Sequence, residues 1–172
     1  MNSKLIVAAG IGAAFAAGSV FGPLSLAGAG HTNTVLTADL DGRNEVTNGA
    51  TDRRIVGDPN GRGEIYVFGI DGDPTTLCYV LAVKGIATAT AAHIHEAAAG
   101  ANGPVVANLA APGDGDAADC LTEGEAGPGN APKFPTGESV QAILANPGDY
   151  YVNVHNAAYP GGALRGQLSI GR

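Results

Sequence analysis

Turn-forming residues interrupt this chain so often that a fold built on long helices is excluded before any motif is read. Its 172 residues include 27 Gly and 10 Pro, and these fall between short apolar or alternating runs. Runs at 34–38, 63–70, 77–83, 105–109, 150–155 and 164–170 are rich in Val, Ile, Leu, Tyr and Thr, the residues that suit a pleated surface. Asp71-Gly72-Asp73-Pro74 separates the second run from the third at hairpin distance. Short strands at regular spacing with turn signals between them predict an all-β, antiparallel sandwich or barrel rather than βαβ units.

Two stretches depart from this pattern. Residues 112–135 are rich in Gly, Asp, Ala and Pro and read as a long exposed loop. In 137–145, Val140, Ile143 and Leu144 recur at helical spacing, with Thr136 as a cap and Asn146-Pro147 as a stop, which predicts one short helix of about two turns.

The N-terminal segment is of another kind. Lys4 is its one charge, residues 5–20 are apolar and small, Pro23 ends the run, and Ala27-Gly28-Ala29 follows. A positive start, an apolar centre and small residues before a cut near Gly30 predict a secretory signal peptide over 1–29, a flexible junction at 30–33 and a β-domain over 34–172. An uncleaved membrane anchor is the alternative, although Gly10, Gly12, Gly18 and Ser19 dilute the segment below what a stable span needs. Without the leader no membrane span is expected, and the protein is expected to be secreted or held at the cell surface.

Charge narrows the partners. The formal net charge is −7, so nucleic acid and anionic membrane surfaces would be repelled, leaving an extracellular partner of unspecified kind. The core must be built from Val, Ile, Leu and Ala, because Trp is absent and aromatics make up 5% of the chain. Cys78 and Cys120 are the two cysteines. Export would place them in an oxidising compartment, and no C-x-x-C spacing suggests a redox or metal pair, so a structural disulfide tying down the long loop is expected.

The segment Ala92-His93-Ile94-His95-Glu96 carries the clearest chemistry. On a strand, both imidazoles share one face and Ile94 takes the other; with Ile94 in the core, the histidines face outward. In Val152-Asn153-Val154-His155 the same alternation sends Asn153 and His155 outward. If the two strands are neighbours, His93, His95 and His155 converge at distances suited to shared ligation of copper, zinc, nickel or iron. The plain alternative is that they are polar surface residues. Glu96 could support the site as a hydrogen-bond partner of a ligand or as a proton donor, or be a surface carboxylate. His31 lies in the junction and is left out of the site. The Asp-Gly segments near 71–73 and 114–116 lack the calcium-loop pattern and read as turns. No G-x-S-x-G occurs, so a serine hydrolase lacks its nucleophile.

These residues resemble the CHRD domain, the family named from its occurrence in chordin. The matching blocks are Leu40-Asp41-Gly42-Arg43-Asn44-Glu45-Val46, Ala92-His93-Ile94-His95-Glu96, Asn102-Gly103-Pro104-Val105-Val106, the stretch from Asn146-Pro147-Gly148-Asp149 through His155, and Pro160-Gly161-Gly162-Ala163-Leu164-Arg165-Gly166-Gln167-Leu168. They depart from the family at Thr47-Asn48, where prolines are usual, and in the longer acidic loop at 112–135. The resemblance implies an extracellular β-domain. The growth-factor binding of chordin-like proteins is not carried over, because the cysteine-rich modules that perform it are missing here.

A weaker similarity is to the Cu/Zn superoxide dismutases, in the His-x-His-Glu strand, the later Val-His and a Gly-Gly-x-x-Arg-Gly near the end. That similarity implies a Greek-key barrel, immunoglobulin-like or dismutase-like, with His93, His95 and His155 as copper ligands and Arg165 as an anion guide. The second metal site of that family has no counterpart. Three functions follow as expectations. The leading one is a non-enzymatic module binding a transition metal, copper by preference, through the three histidines. The others are an extracellular structural or interaction domain without metal, and a copper-only dismutase-like enzyme.

Overall fold

The computed structural model describes residues 34–47 and 55–171. The leader, the junction with His31, and residues 48–54 lie outside the described residues. Among the described residues no helix is long and apolar enough to cross a membrane.

Among the described residues, nine strands form one antiparallel sheet: β1 (Val35–Asp41), β2 (Arg62–Ile70), β3 (Asp73–Lys84), β4 (Ala89–Glu96), β5 (Val105–Leu109), β6 (Asp116–Thr122), β7 (Tyr150–Asn156), β8 (Leu164–Gln167) and β9 (Ser169–Ile170). Their spatial order is β5-β4-β7-β8-β1-β2-β3-β6, with β9 against β1. The sheet curls into a nearly closed barrel, as the all-β reading required. Alternation places Leu36, Ala38 and Leu40 of β1, Ile65 and Val67 of β2, Leu81 of β3, Ile94 of β4, and Val152 and Val154 of β7 in one core cluster. All of these are at most 5% exposed.

The edges β5 and β6 are brought together by the chain after β6. The Asn108 amide of β5 donates to the Lys133 carbonyl at 2.8 Å, Asn108 Nδ2 donates to the Pro132 carbonyl, and Lys133 Nζ meets Asp119 Oδ2 of β6 at 3.0 Å. This strap covers edge groups that would otherwise be free to pair with another chain.

Two local expectations need correction. The stretch 112–135 is not a loop throughout, because Asp116–Thr122 pairs with β3 over seven positions, from Thr76↔Thr122 to Ala82↔Asp116. Its Asp-Ala-Ala-Asp sequence lacks apolar alternation because β6 is an edge strand, exposed along most of its length. Cys78 and Cys120 are directly opposed in this pairing and bonded to each other, so the disulfide joins two adjacent strands. The helix α1 (Val140–Ala145) forms where expected, but Ser139, not Thr136, caps it, accepting from the Ala142 amide at 3.1 Å. Val140 and Ile143 are its buried face.

Candidate metal centre

β4 and β7 are hydrogen-bonded neighbours, with Ala91↔His155, His93↔Asn153 and His95↔Tyr151 as opposed pairs. His155 is therefore diagonal to His93, and Asn153 is the residue facing it. The outward side of β7 is not open surface. Tyr151 and Asn153 are 2% and 4% exposed, because residues 97–104, 42–47 and 157–163 fold over it. The histidines face outward, as the alternation around Ile94 predicts, and are half-buried beneath these loops.

One ligand nitrogen from each of His93, His95 and His155 lies within 4.8 Å of the others. His93 Nδ1 and His155 Nε2 are 3.1 Å apart. Metal–nitrogen bonds of 2.0–2.1 Å set tetrahedral N···N edges of about 3.4 Å, so the three nitrogens would draw closer by about 1.4 Å or less to share one ligation point.

Backbone carbonyls orient two of the rings. His95 Nδ1 is 3.0 Å from the Gly103 oxygen, and His155 Nδ1 is 3.1 Å from the Pro160 oxygen. Carbonyls only accept, so both Nδ1 atoms carry hydrogen and both Nε2 atoms keep a bare lone pair, the arrangement that outer hydrogen bonds impose on metal-ligating histidines. His93 Nδ1–H then donates to His155 Nε2. To hold a metal together with His155 Nε2, His93 would offer Nδ1 and carry its hydrogen on Nε2. Position 103 has room only for glycine, because a Cβ there would strike the Glu96 carbonyl.

Burial lowers the pKa of all three rings. His93 falls to about 4, from burial and then from His155 and His95. His95 is lowered by burial, against its bond to Gly103, and His155 by burial, against its bond to Pro160. The rings are neutral at neutral pH, the form that binds a metal.

Two residues on this wall go beyond the sequence reading. Tyr151 stacks on His95, with ring centroids 4.8 Å apart and planes 9° from parallel, and the Arg165 guanidinium carbon lies 3.4 Å from its centroid. Glu45 reaches the wall from the turn that follows β1. The short 3-10 segment Gly42–Asn44 turns the chain over β8, where Asn44 Nδ2 donates to the Arg165 carbonyl at 3.2 Å, and Asn153 Nδ2 donates to Glu45 Oε2 at 3.4 Å. Burial raises the Glu45 carboxyl to about 7, against the opposing effects of Arg165 and Asn153. Glu45 stood in the family-like block Arg43-Asn44-Glu45-Val46, but nothing in its spacing links it to a strand more than a hundred positions away.

The remaining sequence candidates fall elsewhere. Glu96 is exposed and opposite Tyr150, whose hydroxyl pKa it helps to raise; it follows the alternation onto the face of Ile94. Arg165 is 2% exposed and donates to the Ala101 carbonyl at 2.6 Å and to Asn102 Oδ1 at 2.8 Å. Its guanidinium is thus committed to the 97–104 loop and to Tyr151.

The CHRD family model matches residues 36–168, from the second residue of β1 to the last residue before β9. The chain belongs to the CHRD family. No curated protein and no solved structure matches it, so the likeness to superoxide dismutases gains no support from a structural neighbour. The family match covers every element of this wall: the turn with Glu45, the His-Ile-His strand, the Asn-Gly loop, β7 and Arg165. In this CHRD domain the three histidines and Glu45 therefore belong to the part of the chain that defines the family's extent.

Proposed function

We propose that this CHRD domain is an exported module that binds a transition metal, copper by preference, through His93, His95 and His155. The observation that carries the reading is the convergence of three neutral imidazole nitrogens within 4.8 Å, two of them with tautomers set by carbonyl bonds. An all-nitrogen set of this kind suits copper or zinc over calcium and magnesium, and copper(II) stands highest in the affinity order of divalent first-row metals. Export is supported by the leader-like segment 1–29, and the extracellular setting also by the family.

The dismutase-like alternative asks Arg165 to guide an anion. Its hydrogen bonds to Ala101 and Asn102 and its place on Tyr151 favour a role in holding the wall together. A metal-free interaction domain is the remaining rival, and copper titration separates the two. The disulfide-bonded protein is expected to bind one copper(II) ion, and His95→Ala to weaken that binding by roughly 100-fold or more, at least the effect of losing an outer-sphere partner. Copper affinity unchanged in His95→Ala would sink the three-histidine site.

A further inference from the structure

Four buried side-chain atoms find no hydrogen-bond partner among the described residues: Glu45 Oε1, His95 Nε2, Asn153 Oδ1 and Gln167 Oε1. Glu45, His95 and Asn153 line one cleft of about 480 Å³, which His155 and Tyr151 also border. Buried polar atoms are ordinarily satisfied, and three unsatisfied ones on a single cleft mark a place built for a ligand.

Their chemistry says which ligand. His95 Nε2 is a lone pair, since Nδ1 holds the hydrogen. Asn153 Oδ1 is an acceptor, since Nδ2 is spent on Glu45. Glu45 Oε1 is an acceptor whenever the carboxyl is ionised. Asn153 faces His93 across the strands and lies two residues before His155, so its amide stands beside the point where the imidazoles converge. No Lys or Arg is among the described residues lining the cleft, and Arg165 donates to the 97–104 loop. The cleft therefore presents unpartnered acceptors and no cation, and its side-chain hydroxyls are those of Thr47, Tyr151 and Tyr159. Gly162 keeps the carboxyl in place: its φ is +138°, and a Cβ there would meet both Glu45 oxygens.

We propose that a metal at the three histidines keeps one coordination position open to this cleft, and that the position takes a small hydrogen-donating ligand, water first, whose hydrogens go to Asn153 Oδ1 and Glu45 Oε1. This rests on the three-histidine reading and extends it. Three protein ligands with an open fourth position define an exchangeable site rather than a closed structural one. A bound water has two hydrogens, and the cleft offers two unpartnered acceptors, Asn153 Oδ1 and Glu45 Oε1. An ionised Glu45 disfavours anions at the same position. The charged and titratable groups around that carboxyl are Arg165, the histidines, Tyr151 and Tyr159, and of these Arg165 is the one permanent cation.

The test uses the full disulfide-bonded chain loaded with copper(II). Copper titration comes first, because failure to bind copper overturns the metal reading and this proposal with it. On the loaded protein, relaxation of bulk water protons is expected to report an exchanging metal-bound water. Relaxation no faster than an outer-sphere complex gives would overturn the open position while leaving the three-histidine site standing. Azide titration at pH 8, followed by absorption, then reads the role of Glu45. Glu45→Gln keeps the shape and removes the charge, so azide is expected to bind the copper-loaded variant about tenfold tighter than wild type. Equal azide affinity in the two proteins would remove Glu45 from the site. The water measurement is made on wild type and needs no variant to fold.

Discussion

The fold resists the ionisation of Glu45. Its carboxyl pKa is raised to about 7 from an ordinary 4.5, chiefly because burial disfavours the charge. The folded state therefore holds a proton that the unfolded chain releases between those values, and stability falls as pH rises from about 4.5 to 7. The His pKa values are lowered, which acts in the opposite direction as pH falls below 6.5, so wild type alone does not isolate Glu45. The difference between wild type and Glu45→Gln does: in the metal-free protein the variant is expected to gain stability relative to wild type between pH 4.5 and 7, by denaturant unfolding at each pH. A flat difference across that range would show that Glu45 does not titrate there. At this scale the sequence was informative where alternation governs. Ile94 in the core, with His93, His95 and His155 on the other face, follows from period-two geometry. Glu45 was not legible, since its place depends on a turn over β8 and on Asn153, far away in sequence.

Between elements, the loop 97–104 is the piece that turns an outward strand face into a site. It carries the Gly103 carbonyl that orients His95, and Arg165 of β8 holds it through Ala101 and Asn102. Gln167 Nε2 adds a bond to the Ala97 carbonyl at 2.9 Å. Arg165→Met would leave the Ala101 carbonyl and Asn102 Oδ1 without their charged donor and would remove the cation from the Tyr151 ring. Losing buried charge-assisted bonds of this kind costs about 2–4 kcal/mol, and denaturant unfolding is the measurement. Copper affinity in the folded variant is expected to fall less than in His95→Ala, because no ligand is lost. The strands of the core were legible from their apolar alternation. β6 was not, because an exposed edge strand of Asp and Ala has no buried face to betray it, and only its pairing with β3 and the bond to Cys78 define it.

For the whole molecule, the disulfide closes a loop of the chain rather than adding a contact. Cys78 and Cys120 are separated by 42 residues, and a loop of that length restricts the unfolded chain by about 4 kcal/mol in the chain-entropy picture. That loop contains β4 and β5, so it includes His93 and His95. Reduction, or replacement of both cysteines by serine, is expected to lower stability by about 2–4 kcal/mol and to be seen as a fall in Tm. An unchanged Tm would mean that the pairing of β3 with β6 already confines the chain. The barrel class was readable from the run of short strands, whereas its closure was not: the strap holds β5 through the Pro132 and Lys133 carbonyls and β6 through one Lys133–Asp119 ion pair, contacts that no local pattern announces.

The pairing of β1 with β9 has one more consequence. Leu36 is opposite Ile170, and the Gly171 amide donates to the Val35 carbonyl at 2.7 Å, so the domain begins and ends at a single spot on its surface. A module whose two ends meet can be spliced into a host chain as a side-branch, entering and leaving through one doorway without prising the host apart. Equally, its ends could be joined by a short tether and new ones opened at an exposed turn such as Gly72, giving a rearranged chain with the same histidine wall.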